Sequence, residues 1–280
     1  MPQSTLAPVR SDERERSDFA ADWRSWHQHR LQSLSAPNGL LAATALHWVT
    51  GEATRFEGLP GQWWVHDDWL YVELGASESL LFNGTLVTGV QKLGSIAERE
   101  GFNLGHGERI LEAAKRGGRY ILRPRHPQNP LLQDFSGVPA YAPDARWRVG
   151  GTFRRFAEPR PTRVGAAVEG IEHTYRSPGE VVFELNGSTH VLTAFNGHPD
   201  GSLDVLFTDA TSGKTTYAAS RSLHLEAPGP DGGVVLDFNR AVNLPCAFTD
   251  LATCPLPPAE NRLKIAIEAG EKIPCERSAG

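Results

Sequence analysis

The chain has 280 residues, 40% hydrophobic and 22% charged, with a formal net charge of −5. That supplies enough apolar side chains for a core and excludes a wholly disordered chain. The acidic balance argues against a nucleic-acid footprint, and no apolar run approaches the roughly 20 residues of a membrane span.

Residues 1–16 open Met1-Pro2-Gln3-Ser4-Thr5 and carry the charge run Ser11-Asp12-Glu13-Arg14-Glu15-Arg16. They read as a disordered or loosely held tail. No basic start leads into an apolar stretch, so no signal peptide is expected and the compartment expected is the cytoplasm. Residues 17–280 read as a single β-rich domain, with a helical cap over 17–50 and a β body over 62–272. In the cap, Phe19, Trp23, Trp26 and Leu34 form one stripe of a helix over 17–34, a docking face that ends at Pro37-Asn38-Gly39. His27 and His29 fall on different faces and read as solvent-exposed.

From Gln62 the apolar period changes to two. Trp63-Trp64-Val65 and Leu70 to Leu74 flank His66-Asp67-Asp68; Leu80-Leu81-Phe82 and Leu86-Val87 flank Asn83-Gly84; Arg109 to Ala113 and Arg119 to Leu122 flank Gly117-Gly118. These are hairpin signals. Pro124, Pro127, Pro130, Pro139 and Pro143 then turn 124–148 into a long ordered loop, pinned by Phe135, Tyr141 and Trp147. Strands follow near 149–156, 163–168, 171–176, 180–186, 189–195, 202–208, 214–218, 221–226 and 233–238. Turn signals every 8–12 residues predict an antiparallel meander closing into a barrel or a sandwich. Ile265 to Glu268 reads as a last strand.

Most chemical motifs are missing. There is no Gly-x-Ser-x-Gly elbow, no Walker loop and no paired-histidine metal motif. Cys246, Cys254 and Cys275 match no zinc spacing. They read as packed thiols, with a redox or structural Cys246–Cys254 contact as the alternative; no metal and no cofactor are expected. Asp209-Ala210-Thr211-Ser212-Gly213-Lys214 is first of all a turn held by side-chain-to-backbone bonds. Arg221 shares its strand face with Leu223 and Leu225, so it sits at an edge or is buried against a carboxylate. Asp237 meets it if Val235 faces Leu223, and not if Leu236 does; the register is open. The pair is either a structural bridge or an anion-binding or catalytic pair.

The stretch Leu236-Asp237-Phe238-Asn239-Arg240-Ala241-Val242-Asn243-Leu244-Pro245-Cys246-Ala247-Phe248, then Cys254-Pro255-Leu256-Pro257-Pro258-Ala259-Glu260-Asn261-Arg262-Leu263 and Ile267-Glu268-Ala269-Gly270-Glu271-Lys272, resembles the C-terminal signature of domain-of-unknown-function family 1684 of bacteria and archaea. Weaker likeness extends forward to about residue 20, through Asp209 to Gly213 and through Leu46-His47-Trp48-Val49. The sequence departs from the family pattern at Ala218-Ala219-Ser220, where glycines are expected, and at His126, where an acid is usual. The family implies no assigned activity. Its recurring polar positions here include His47, Arg221, Asp237, Asn239, Asn243, Glu260 and Asn261.

Polar residues gathered where strand ends meet a proline-braced segment suggest a small-molecule pocket, anionic in preference. In the enzyme reading, which is hydrolase-like, Glu260, Asp237 and His47 exchange protons while Arg221, Asn239, Asn243 and Asn261 bind substrate. The alternatives are a non-catalytic binding barrel and a structural or interaction module. A small-molecule ligand is the partner expected, with no nucleic acid or membrane; a homo-oligomer is left open.

Overall fold

The structure, a computed structural model, describes residues 9–275. It begins with helix α1 (Val9–Leu34), eight residues earlier than the stripe predicts. Half of the expected tail is thus helical, and residues 1–8 lie outside the described part. The stripe does face the body: Phe19, Trp23 and Trp26 are half-buried and Leu34 is buried. His27 shares that stripe rather than facing solvent, stacked on Trp23 at 4.7 Å. Its stripe position, four residues after Trp23, outweighs its polarity.

The first half is built from β1 (His47–Val49), β2 (Gln62–His66), β3 (Trp69–Glu73), β4 (Leu80–Phe82), β5 (Thr85–Val87), β6 (Val90–Gly94), β7 (Gly101–His106), β8 (Arg109–Arg116) and β9 (Arg119–Arg125). They form a six-stranded antiparallel sheet, in order β1-β9-β8-β7-β4-β5, and a three-stranded one, β2-β3-β6. The expected hairpins are present. Asp67-Asp68, Asn83-Gly84 and Gly117-Gly118 all have positive φ at both central positions, the backbone twist that matches the flanking strands. Between the two sheets lies a core that includes Trp63, Leu70, Val72, Leu104 and Leu122.

The proline loop carries one short α-helix, α2 (Pro130–Gln133), and a 3₁₀ turn, Ala145–Trp147, and is pinned as expected. Phe135 meets Phe248 edge-on at 6.3 Å, the Tyr141 hydroxyl lies 2.6 Å from Thr215 Oγ1, and Trp147 is buried in the second core.

The second half contains β10 (Arg148–Gly165), β11 (Glu172–Leu185), β12 (Ser188–Asn196), β13 (Leu203–Phe207), β14 (Arg221–Leu225), β15 (Gly233–Asp237) and β16 (Val242–Asn243). Two pairs of expected strands are fused. Ser177-Pro178-Gly179 is an irregularity inside β11 opposite a register shift between Arg155 and Arg160, a place where a sheet tolerates proline. Residues 214–218 form a turn, not a strand. Ile265 to Glu268 is no strand either, because its backbone is consumed elsewhere: Ile265 O accepts from Ala210 N, and Ile267 N donates to the Asp209 carboxylate.

The sheet order is β15-β10-β11-β12-β13-β14-β16. It curls around a core of Phe153, Phe183, Val205, Phe207, Leu236 and Phe238. It does not close: β14 and β15 lie side by side with no ladder between them. Among the described residues no sheet forms a barrel. The chain leaves β15 through the 3₁₀ turn Phe238–Arg240 and pairs β16 with β14 instead, so the seam stays open and α1 covers it. Among the described residues no helix is long and apolar enough to cross a membrane.

Candidate functional site

The polar positions of the C-terminal segment are first of all joints. Arg221 is buried, with its partner Asp209 rather than Asp237: Nη2 lies 2.6 Å from Asp209 Oδ2. Since β14 and β15 do not pair, neither register considered for Asp237 and Arg221 applies. The guanidinium also donates to the carbonyls of Ile267 (3.1 Å) and Ala269. Asp209 Oδ1 accepts from Thr211 N at 2.7 Å and Thr211 Oγ1 at 2.6 Å, so the turn residue and the strand arginine are one buried network. Burial pushes the Arg221 pKa down against the opposing pull of Asp209.

The asparagines have a similar fate. Asn239 binds both the N–H and the C=O of Asp144 (2.9 and 3.0 Å), and Asp237 accepts from Asn239 N and Nδ2. Asn243 Nδ2 donates to Lys272 O at 2.7 Å, while its N–H donates to Glu271. Asn261 accepts from Thr193 N at 2.7 Å and donates to the carbonyls of Thr193 and Leu206, both at 2.8 Å, tying its segment to two strands. Cys246 N donates to Cys254 Sγ at 3.2 Å, and the hydrogen bond between the two thiols, with burial, pushes the Cys254 pKa up.

The three residues expected to exchange protons are not brought together. His47 lies on β1 in the first half, stacked on Phe56 at 4.8 Å, and burial pushes its pKa down. Glu260 is exposed and accepts from Thr193 Oγ1 at 3.0 Å. Asp237 caps the turn after β15. No hydrogen bond or ion pair among the described residues joins any two of them.

A groove of about 940 Å³ runs between α1 and the outer face of the open seam. On its floor His224 and Asp204 oppose each other across β14 and β13, with His224 Nδ1 2.9 Å from Asp204 Oδ1. Ser222 shares the His224 face. Arg148, Arg240 and Arg30 stand around it, with carboxylates of Asp18, Asp22, Glu226 and Asp237, and Phe19, Trp26, Val235 and Val242 form the apolar part of the lining. Arg240 pairs with Asp22 from above, and Arg30 bridges to Glu271 at 2.9 Å outside the lining. Trp23 Nε1 donates to Asn239 O at 2.8 Å. The helix is therefore fastened along residues 239–243 and to Glu271, on one side of the groove it roofs.

Residues 133–272 match the family model described as "Protein of unknown function (DUF1684)", half of the chain. The chain belongs to the DUF1684 family. The match covers the curled sheet, its seam and the C-terminal joints; the segments from Trp23 to Gly51 that resemble the family lie outside it. A solved structure of an uncharacterised protein from Haloarcula marismortui is similar at 32% identity over 50% of this chain and 78% of that one, with a TM-score of 0.42. No curated protein matches.

Within the DUF1684 half, nothing in the sequence marked the Asp204–His224 pair, and Asp209 read as a turn residue without its partner Arg221. Asp204 lies between Leu203 and Val205, and His224 between Leu223 and Leu225, so strand parity already places both outward. Their pairing was hidden by the 13 residues from Thr208 to Ser220 between the strands, which leave the register open.

Proposed function

We propose that this DUF1684 protein binds a small polar molecule in the groove under α1 and acts on it by hydrolase-like acid–base chemistry. The Asp204–His224 pair carries this reading. A carboxylate that accepts from Nδ1–H sets the tautomer and leaves Nε2 as the base. His224 would take a proton from water as the water oxygen bonds to the ester carbonyl carbon. Arg148, which makes no ion pair with a described residue, would hold the oxyanion. His224 would return the proton to the alcohol oxygen as the ester C–O bond breaks. Carboxylates outnumber guanidiniums in the lining, which favours a neutral or amine-bearing ester over a phosphate. Of the residues expected to act, Asp237 borders this groove; for Arg221, Asn239, Asn243 and Asn261 the bonds they make support a framework role.

The test is hydrolysis of p-nitrophenyl acetate, p-nitrophenyl phosphate and an amino-acid ester by wild type, His224→Gln and Asp204→Asn. Loss of at least about a hundredfold in rate for His224→Gln on the esters, with an unchanged circular dichroism spectrum, is the expected result. Equal rates in all three proteins would overturn it. A second reading, binding without catalysis, draws support from the polar signature positions being spent on joints. It predicts no turnover, with binding lost when the groove is filled by Ser222→Trp.

A further inference from the structure

The two halves of the chain meet around a second cavity, away from the groove. It measures about 280 Å³ and is lined by Arg99, Arg116, Arg123, His173 and Tyr175 on its polar side. The arginines are supplied by the first half and His173 and Tyr175 by β11. The floor and wall are apolar, formed by Leu40, Leu244 and the prolines that flank the cysteine segment.

The charges around it do not balance. Glu112 alone serves three guanidinium groups: Arg123 Nη1 at 2.9 Å, Arg116 at 3.6 Å, and Arg125. Arg99 makes no ion pair with a described residue and instead lies over the Tyr175 ring at 4.2 Å. The other nearby acid, Glu98, accepts from the N–H groups of Gly117 and Gly118 and is 3.6 Å from His173 Nδ1. Among the described residues only Glu112 ion-pairs with any of these four guanidiniums, while Arg116 and Arg125 turn further donors to backbone carbonyls. Arg123 is only 4% exposed, and its Nε has no hydrogen-bond partner. His173 is 2% exposed; Nε2 donates to Thr253 O at 3.1 Å, and Nδ1 also lacks a hydrogen-bond partner. Burial pushes the Arg123 pKa down, and Arg125 and Arg116 add to that against the pull of Glu112. Buried cations are ordinarily paired, because an unpaired one keeps its full desolvation cost.

We propose that this cavity binds a small organic oxyanion, a phosphate or carboxylate carried on an apolar body. Arg99, Arg116 and Arg123 would hold the charged end through charge-assisted hydrogen bonds, the geometry guanidinium groups offer to such anions. Leu40, Leu244 and the prolines would take the apolar end. The volume suits a single ring or short chain with one charged group. Because the ligand would touch both halves, binding would also lock them together.

The experiment is thermal unfolding and calorimetric titration of the full chain with phenyl phosphate, benzoate, inorganic phosphate and uncharged benzyl alcohol. Wild type should be stabilised by phenyl phosphate or benzoate and not by benzyl alcohol. Arg99 is exposed, and Arg99→Gln should weaken that binding by about tenfold or more with an unchanged circular dichroism spectrum, as should Arg116→Gln. A stronger response to phenyl phosphate than to benzoate assigns the phosphate class, and the reverse the carboxylate class. Stabilisation by inorganic phosphate equal to that by phenyl phosphate would refute the apolar subsite. No anion-dependent shift, or shifts unchanged in both arginine variants, would overturn the site.

Discussion

Replacing Asp209 by Ala removes the one carboxylate that, among the described residues, ion-pairs with a guanidinium that is 1% exposed. Arg221 keeps two carbonyl partners but loses its counter-charge. Breaking a buried pair on one side costs about 3–5 kcal/mol. The Thr211 N–H, buried and 2.7 Å from Asp209 Oδ1, loses its acceptor as well, which adds about 1 kcal/mol. The sum, about 5 kcal/mol, is a large part of the roughly 5–15 kcal/mol that holds a domain together. Replacing both partners by apolar groups, Asp209→Leu with Arg221→Met, removes the stranded charge, so the double variant should lose far less than the two single losses added. Urea denaturation followed by far-UV circular dichroism measures all four corners of the cycle. A loss below about 1 kcal/mol for Asp209→Ala, or a double variant equal to the sum of the singles, would refute the buried-pair argument.

Gly270 has φ +77°, and a Cβ there would stand 2.5 Å from Ala241 O and 2.9 Å from Phe238 O. Gly270→Ala should lower the unfolding temperature and loosen the C-terminal joints, at a cost of about 2 kcal/mol or more; an unchanged melting curve would show that the backbone there can move aside. Burial holds the folded pKa of His47 below its ordinary value, so on acidification the unfolded chain takes up this proton first. Its contribution is fully present above pH 6.5 and is lost as the pH falls below that value. His47→Phe should flatten the fall in stability between pH 7 and 5, and identical slopes for the variant and wild type would count against this assignment.

Much of the local architecture is readable from residues alone. Asn83-Gly84, Gly117-Gly118 and Asn186-Gly187 each sit in a hairpin turn with both residues at positive φ, a requirement their side chains announce. The helix stripe of Trp23 and Trp26 faces the body because its spacing is helical. What could not be read is long-range pairing. Asp209 looks like a local turn residue because Thr211 satisfies that description, while its second oxygen serves Arg221 twelve positions away. Pro178 looks like a strand break, yet it lies in a bulge of a 14-residue strand. A barrel, one of the two closures expected, would need β15 to pair with β14, and the turn at Phe238–Arg240 sends the chain to β16 instead. For the site, residue type pointed to Arg221 and the asparagines as substrate binders, and the structure shows each of them bonded to its neighbours; His224 gave no signal beyond its outward parity.

The fastening of α1 has a consequence for the birth of the molecule. Trp23 grips a carbonyl 216 positions downstream, and Arg30 grips a carboxylate 241 positions downstream. During synthesis the helix therefore leaves the ribosome before its partners exist and must wait until residues 239 and 271 have emerged. The first half, whose hairpins close within short stretches, can form while the helix waits. Attachment of α1 would then be the last event of folding, and the groove it roofs would come into existence only at that moment.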